Sequence, residues 1–214
     1  MIRFSRALAG PVTVAVAAAA LAAAPADGQE WALGVEGGRN MSDLAGAGVE
    51  EGATEEESGF RGGVVVRHTF SPASLFAVQT GAAFSRKGVV IAAGDLNLDY
   101  LEMPLLLVVN LPLGDASVQP RLFGGGSFGF ELDCELDPPG DAAASACAGT
   151  EIGETPSVDV GVRFGGGLDV RLQRDAAMIL DVGWELGVTD LDPGASVELK
   201  NRNLYVSGGF MFLP

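Results

Sequence analysis

The chain has 214 residues, 13 Lys and Arg against 28 Asp and Glu, a formal net charge of −15 and 48% hydrophobic residues. Its length suits one domain of ordinary size, and so acidic a chain lacks the basic patches that nucleic-acid binding requires. One histidine and two cysteines leave no ligand set for a zinc-type site, so neither a metal nor another cofactor is expected.

The chain opens "MIRFSRALAGPVTVAVAAAALAAAPADGQ". Arg3 and Arg6 precede an Ala- and Val-rich stretch, and small residues follow that suit cleavage after Ala26 or Gly28. This predicts a cleavable export signal over 1–28 and one domain over 29–214. The alternative is a membrane-anchoring helix, because Ala7 to Ala24 is close to spanning length. Small residues at the end of the stretch and the folded-looking start at Trp31 favour cleavage. Cleavage after Ala26 removes Arg3 and Arg6 and leaves 11 bases against 28 acids, a net charge of 11 − 28 = −17.

From Trp31 onward the dominant signal has period two, the mark of strands with two unlike faces. Eight segments carry it: about 31–39, 59–69, 74–87, 98–111, 117–132, 157–172, 176–189 and 201–213. The first places Glu36 on its polar parity, the second Arg61 and Arg67, the third Lys87. The fourth carries Tyr100, Glu102 and Pro104 on one parity, and the fifth carries Arg121 and Glu131. The sixth, "SVDVGVRFGGGLDVRL", puts Val158, Val160, Val162, Phe164, Leu168 and Val170 on one side and Asp159, Arg163, Asp169 and Arg171 on the other. In the seventh, Met178, Leu180, Val182, Trp184, Leu186 and Val188 oppose Asp181 and Glu185.

Connections alternate in length. "HTFSPAS", "PLGDAS" and "QRDA" are short, and the four between them are long. Short and long connections therefore sort to opposite ends of an up-and-down meander, as in transmembrane barrels with short periplasmic turns and longer external loops. The long loops hold the surplus acids: Glu50, Glu51, Glu55, Glu56 and Glu57 in the first, and Asp133, Glu135, Asp137, Asp141, Glu151 and Glu154 in the third. That third loop also holds Cys134 and Cys147, which an oxidising compartment would join as a disulfide.

The charged parity decides which face is inside. It collects seven acids (Glu36, Glu102, Glu131, Asp159, Asp169, Asp181 and Glu185) and six bases (Arg61, Arg67, Lys87, Arg121, Arg163 and Arg171). Near balance in so acidic a chain is expected where side chains share a confined lumen and must pair. Glycines such as Gly161, Gly165, Gly167, Gly183 and Gly187 crowd the same parity and leave room for long side chains. The apolar parity then faces lipid, where strands must close on themselves to satisfy their backbones. Aromatics near strand ends, among them Trp31, Phe60, Phe70, Phe76, Phe84, Phe130, Trp184 and Phe212, are placed as interfacial girdles. A soluble sandwich or lipocalin-like barrel also alternates, but accounts for neither the balanced, glycine-rich polar face nor the alternating loop lengths.

"LGVEGGRNMSDL", "GFRGGVVVRHTFSP", "FAVQTGAAFSRKGVV" and "LDYLEMPLLLVVNLPLG" resemble the bacterial outer-membrane β-barrel domain family often labelled porin-like. The resemblance implies an all-β, eight-stranded antiparallel up-and-down transmembrane barrel in the cell outer membrane, generally without an established activity.

No catalytic constellation stands out. His68 falls on the outward parity near a short turn, whereas Ser42, Ser58 and Ser85 belong near the other end. "FGGGSFG" and "FGGGLD" lack the helix and lysine of a phosphate loop, and "DLDPG" and "ELDCELDPPGD" lack EF-hand spacing. Eight strands enclose room for side chains but little more. The expected protein is therefore a non-enzymatic outer-membrane barrel with a filled lumen and a structural or surface-interaction role. Its partners would be outer-membrane lipid and an unidentified extracellular ligand or surface partner. The alternatives are a narrow passive channel for water, ions or small solutes, and, less favoured, a membrane-embedded enzyme.

Overall fold

Strand after strand offers hydrocarbon on one side and polar groups on the other, and these faces are reconciled by rolling the sheet into a cylinder. The computed structural model describes residues 30–45, 55–71, 74–91, 94–112, 117–138, 145–147, 157–189 and 200–212. The expected export signal over 1–28 lies outside the described residues. The strands are β1 (Glu30–Ala45), β2 (Glu55–Thr69), β3 (Phe76–Ile91), β4 (Gly94–Asn110), β5 (Val118–Asp137), β6 (Ser145–Ala146), β7 (Val158–Gln173), β8 (Ala176–Gly187) and β9 (Lys200–Phe212).

Each long strand pairs antiparallel with its neighbours, and β1 pairs with β9, so the eight long strands form a closed up-and-down barrel. Starting from Trp31, the register passes through His68, Val78, Leu107, Gly124, Phe164, Trp184 and Leu204. It returns to β1 at Met41, giving a stagger of 41 − 31 = 10 residues. With ordinary strand spacing and rise, eight strands at this stagger tilt by about 40° and enclose a Cα cylinder of radius about 8 Å. Side chains fill a tube that narrow.

The faces follow the alternation. Leu105, Leu107, Leu122, Val162, Val182 and Val206 point outward and are half exposed, while Arg61, Lys87, Glu102, Arg121, Arg163 and Glu185 point inward and are buried. In water this distribution would be inverted; in lipid it is the stable one. Trp31, Phe70, Phe76 and Phe212 stand outward at the short-turn end, and Phe60, Phe130 and Trp184 face outward nearer the other.

The strands run further toward the long-loop end than the alternation marks. Glu55, Glu56 and Glu57 open β2, and Asp133, Glu135 and Asp137 lie within β5, although all six were expected in loops. Above the hydrocarbon the outward face meets water, so along β5 the alternation continues with Asp133, Glu135 and Asp137 exposed in place of apolar residues while backbone pairing goes on. Glu50, Glu51, Asp141, Glu151 and Glu154 lie outside the described residues.

A bulge in β5 changes the facing of its outer end. Tyr100 registers with Glu131 and Asp99 with Asp133, leaving Leu132 unopposed. Beyond it, Cys134 and Leu136 turn inward and are buried. The short β6 pairs with β5 there, and Cys147 bonds to Cys134 with 5.5 Å between their Cα atoms. The backbone NH of Cys147 also donates to the Cys134 carbonyl at 3.1 Å. Leu96, Leu98, Tyr100 and Leu136 pack with both cysteines as an apolar plug at this end.

Candidate functional site

The lumen holds two charge clusters, each built from opposite walls. In the first, Glu102 of β4 and Glu185 of β8 are bridged by the same two bases, Lys87 of β3 and Arg163 of β7. Lys87 Nζ lies 2.9 Å from Glu102 and 2.6 Å from Glu185, and Arg163 reaches Glu102 at 2.5 Å while also pairing with Glu185. Because β3 and β8 lie four strands apart either way round the cylinder, the Lys87–Glu185 contact makes this four-membered ring a strut across the bore. Arg61 extends it, 3.1 Å from Glu36 and 3.8 Å from Glu102. Three acids thus meet three bases, and Glu102 is 0% exposed.

The second cluster lies nearer the short turns. Arg67 of β2 pairs with Asp169 of β7, and Arg121 of β5 contacts Asp169 at 2.7 Å and Asp181 of β8 at 2.6 Å. Gln79 accepts a bond from Arg67 at 3.1 Å. Here too the charges balance, two against two.

Aromatic rings lie against these bases. The Arg61 and Arg163 guanidinium carbons lie 4.3 and 5.2 Å from the Tyr205 ring centre, and that of Arg121 lies 5.7 Å from Phe123. Asp159 is joined to the described residues by a hydrogen bond it accepts from Asn201 at 2.7 Å rather than by a close ion pair. At the short-turn end Ala32, Val65, Ile179 and Met211 form a buried apolar group on the inner face of β1, β2, β8 and β9. The inward glycines make room for the larger residues. A Cβ on Gly183 would stand 2.8 Å from the Tyr205 hydroxyl, and one on Gly167 would overlap the Asp181 carboxylate.

The geometry brings together Glu36, Arg61, Lys87, Glu102, Arg163 and Glu185 in one cluster and Arg67, Arg121, Asp169 and Asp181 in the other. Asp159 stands apart with Asn201. Arg171 differs: it is exposed and lines a cavity of about 180 Å³ at the short-turn mouth, with Arg67, Asp169 and Glu30. The register of β7 against β8 slips between Arg171 and Gln173, and the strand is leaving the lumen at that point. Glu131 is half-buried at the opposite end.

Alternation alone did not single out Asn40, Gln79, Asn201, Asn203, Ser207 and Tyr205, which share the inward parity and are buried. Their signal was position, without charge to draw the eye. Of the serines considered as nucleophiles, Ser42 donates to Asn203 at 3.2 Å, Ser85 is bonded by Asn40 at 2.8 Å, and Ser58 is bonded by Arg39 at 3.2 Å. His68 stacks on Trp31 outside the barrel, ring centres 4.3 Å apart, far from those serines in the register. Among the described residues no group of three or more His, Cys, Asp or Glu is arranged to hold a metal.

Residues 23–193 match the family described as outer membrane protein beta-barrel domain. No curated protein matches. Similar solved structures include outer membrane protein OprG from Pseudomonas aeruginosa, 16% identical, with 87% of this chain and 96% of that chain covered and a TM-score of 0.49. The attachment invasion locus protein Ail of Yersinia pestis is 15% identical, with 87% and 100% covered and a TM-score of 0.45. Neisserial surface protein A is 11% identical, with 85% and 97% covered and a TM-score of 0.49.

Proposed function

Because the chain belongs to the outer membrane protein beta-barrel domain family and so resides in the cell outer membrane, we propose that it is a non-enzymatic barrel with a sealed lumen. Its acidic external loops would meet a ligand or surface partner outside the cell, after export directed by a cleaved signal over 1–28. The observation that carries this proposal is the strut of Lys87, Glu102, Arg163 and Glu185. Its four side chains are buried, and their contacts span the bore from β3–β4 to β7–β8. A cavity beside Arg61 and Tyr205 measures about 10 Å³, about the space of one water. A non-enzymatic role is supported by the separation of His68 from Ser42, Ser58 and Ser85.

Planar-bilayer recording of the refolded protein tests the proposal. The expected result is no sustained conductance, and robust solute flux into liposomes would overturn it. A narrow passive channel is the second possibility, favoured by the polar mouth around Arg67, Asp169 and Arg171. In that case Glu102→Ala or Arg163→Ala changes conductance or ion selectivity.

A further inference from the structure

The ladder between β3 and β4 is interrupted, and a cavity of the lumen lies against the interruption. Pairing runs as far as Thr80↔Leu105 and resumes at Ala83↔Glu102, lapsing where Gly81 and Ala82 face Met103 and Pro104. On the other side of β4 the pairing with β5 continues through Met103↔Phe128 and Pro104↔Ser127. The cause is Pro104, which has no N–H to give. Its carbonyl points toward β3, where Thr80 Oγ1 donates to it at 2.8 Å. The donor missing from the ladder is therefore the one that the Gly81 carbonyl would have taken from β4. A wall carbonyl at membrane depth has no bulk water to replace it.

Gly81 and Pro104 both line the cavity of about 10 Å³ beside Arg61 and Tyr205. Two small inward residues of β3, Gly81 and Ala83, leave that space. Arg61 borders it from β2 with most of its donors unused. Its Nη2 donates to Glu36 at 3.1 Å, whereas Nε and Nη1 have no hydrogen-bond partner among the described residues, although Arg61 is only 2% exposed. Asp181 borders it from β8; its Oδ1 lies 2.6 Å from Arg121 yet accepts no hydrogen bond among the described residues. Buried donors without acceptors and acceptors without donors are costly, and here both kinds face one small space.

We propose that this cavity is the binding site of a single resident water, which accepts an N–H of Arg61 and donates its two protons to the Gly81 carbonyl and to Asp181. About three bonds is the usual number for a buried water, and the volume admits one. An anion there would face the Glu36 and Asp181 carboxylates, and a metal cation would face the Arg61 guanidinium. The ligand that fits is neutral and both accepts and donates. Arg61 belongs to one charge cluster and Asp181 to the other, so the water joins the two into one hydrogen-bonded network while it mends the ladder at Pro104. The site rests on the wall and the lumen and not on what the external loops meet.

Nuclear magnetic resonance of the folded, deuterated and nitrogen-15-labelled barrel in detergent micelles tests the proposal. Rotating-frame cross-relaxation between water and the Arg61 Nε–H reports a dipolar contact, whose sign separates it from proton exchange, and oxygen-17 relaxation dispersion counts the waters held while the barrel tumbles. The wild type is expected to show the contact. Ala83→Val fills the cavity and should abolish the contact and lower the count by one. Pro104→Ala returns an N–H to the ladder, so the water loses the Gly81 carbonyl and its residence time should shorten about fivefold, as for one ordinary net hydrogen bond. Gly124→Ala, on the outward face of β5, should change neither reading. Absence of the contact in the wild type, or its survival in Ala83→Val, would overturn the proposal. So would an unchanged residence time in Pro104→Ala, because the ladder would then not be what the water serves. If Ala83→Val does not fold, the wild-type contact and Pro104→Ala decide the question.

Discussion

Removing the Glu102 carboxylate should expose how much of the barrel's stability rests on balanced charge. Glu102 contacts Arg163 at 2.5 Å, Lys87 at 2.9 Å and Arg61 at 3.8 Å. Each attraction is worth about 4–7 kcal/mol gross at an effective dielectric of about 20, and the desolvation of the buried groups offsets most of that. What the Glu102→Ala substitution leaves is three bases facing Glu36 and Glu185, a buried excess of one positive charge. Breaking a buried ionic group from one side costs about 3–5 kcal/mol, so unfolding in urea, followed by Trp31 and Trp184 fluorescence in phospholipid vesicles, should lose that much. The double variant Glu102→Ala/Lys87→Ala restores neutrality, because Arg163 keeps Glu185 and Arg61 keeps Glu36. Its loss should fall short of the sum of the single losses by about 1–3 kcal/mol. A single-variant loss below about 1 kcal/mol, or strict additivity, would refute the charge-balance argument.

Three further outcomes are expected. Cys134→Ser/Cys147→Ser should lower stability by about 3 kcal/mol in the chain-entropy model for a separation of 13 residues, read as an earlier urea midpoint that reductant reproduces in the wild type. Leu105→Arg, on the outward face midway along β4, should cost about 2–4 kcal/mol in vesicles; no loss there would contradict a lipid-facing wall. Gly183→Val should abolish the compact, heat-modifiable band on unboiled gels by colliding with Tyr205, whereas Gly124→Ala, whose nearest neighbour would be 3.8 Å away, should leave it unchanged.

Faces were legible in the sequence because a strand shows its surroundings every second residue. Val158, Val160 and Val162 against Asp159 and Arg163 announce lipid on one side and a polar interior on the other. Partnerships across the bore were not legible. Whether Lys87 meets Glu185 or Asp181 depends on the ten-residue stagger, which backbone register sets and alternation does not encode. Parity also fails wherever the chain leaves regular pairing. Leu132 adds a residue to β5 and turns Cys134 and Leu136 inward, while Arg171 keeps an inward parity after its strand has reached the mouth. Inward apolar residues were hidden for a simpler reason: Val65, Ile179 and Met211 sit beside outward apolar neighbours, so the cluster they form looks like a continuation of the lipid face.

The seam between β1 and β9 has a consequence for anything fused to this protein. Leu33 lies opposite Phe212, so the polypeptide begins and finishes its circuit of the wall on the side of the three tight turns. In the proposed orientation, with the short turns in the periplasm and the acidic loops outside, a tag, binding module or tether joined before β1 or after β9 would stay on the periplasmic side. Display on the cell exterior requires insertion between β1 and β2, β3 and β4, β5 and β7, or β8 and β9.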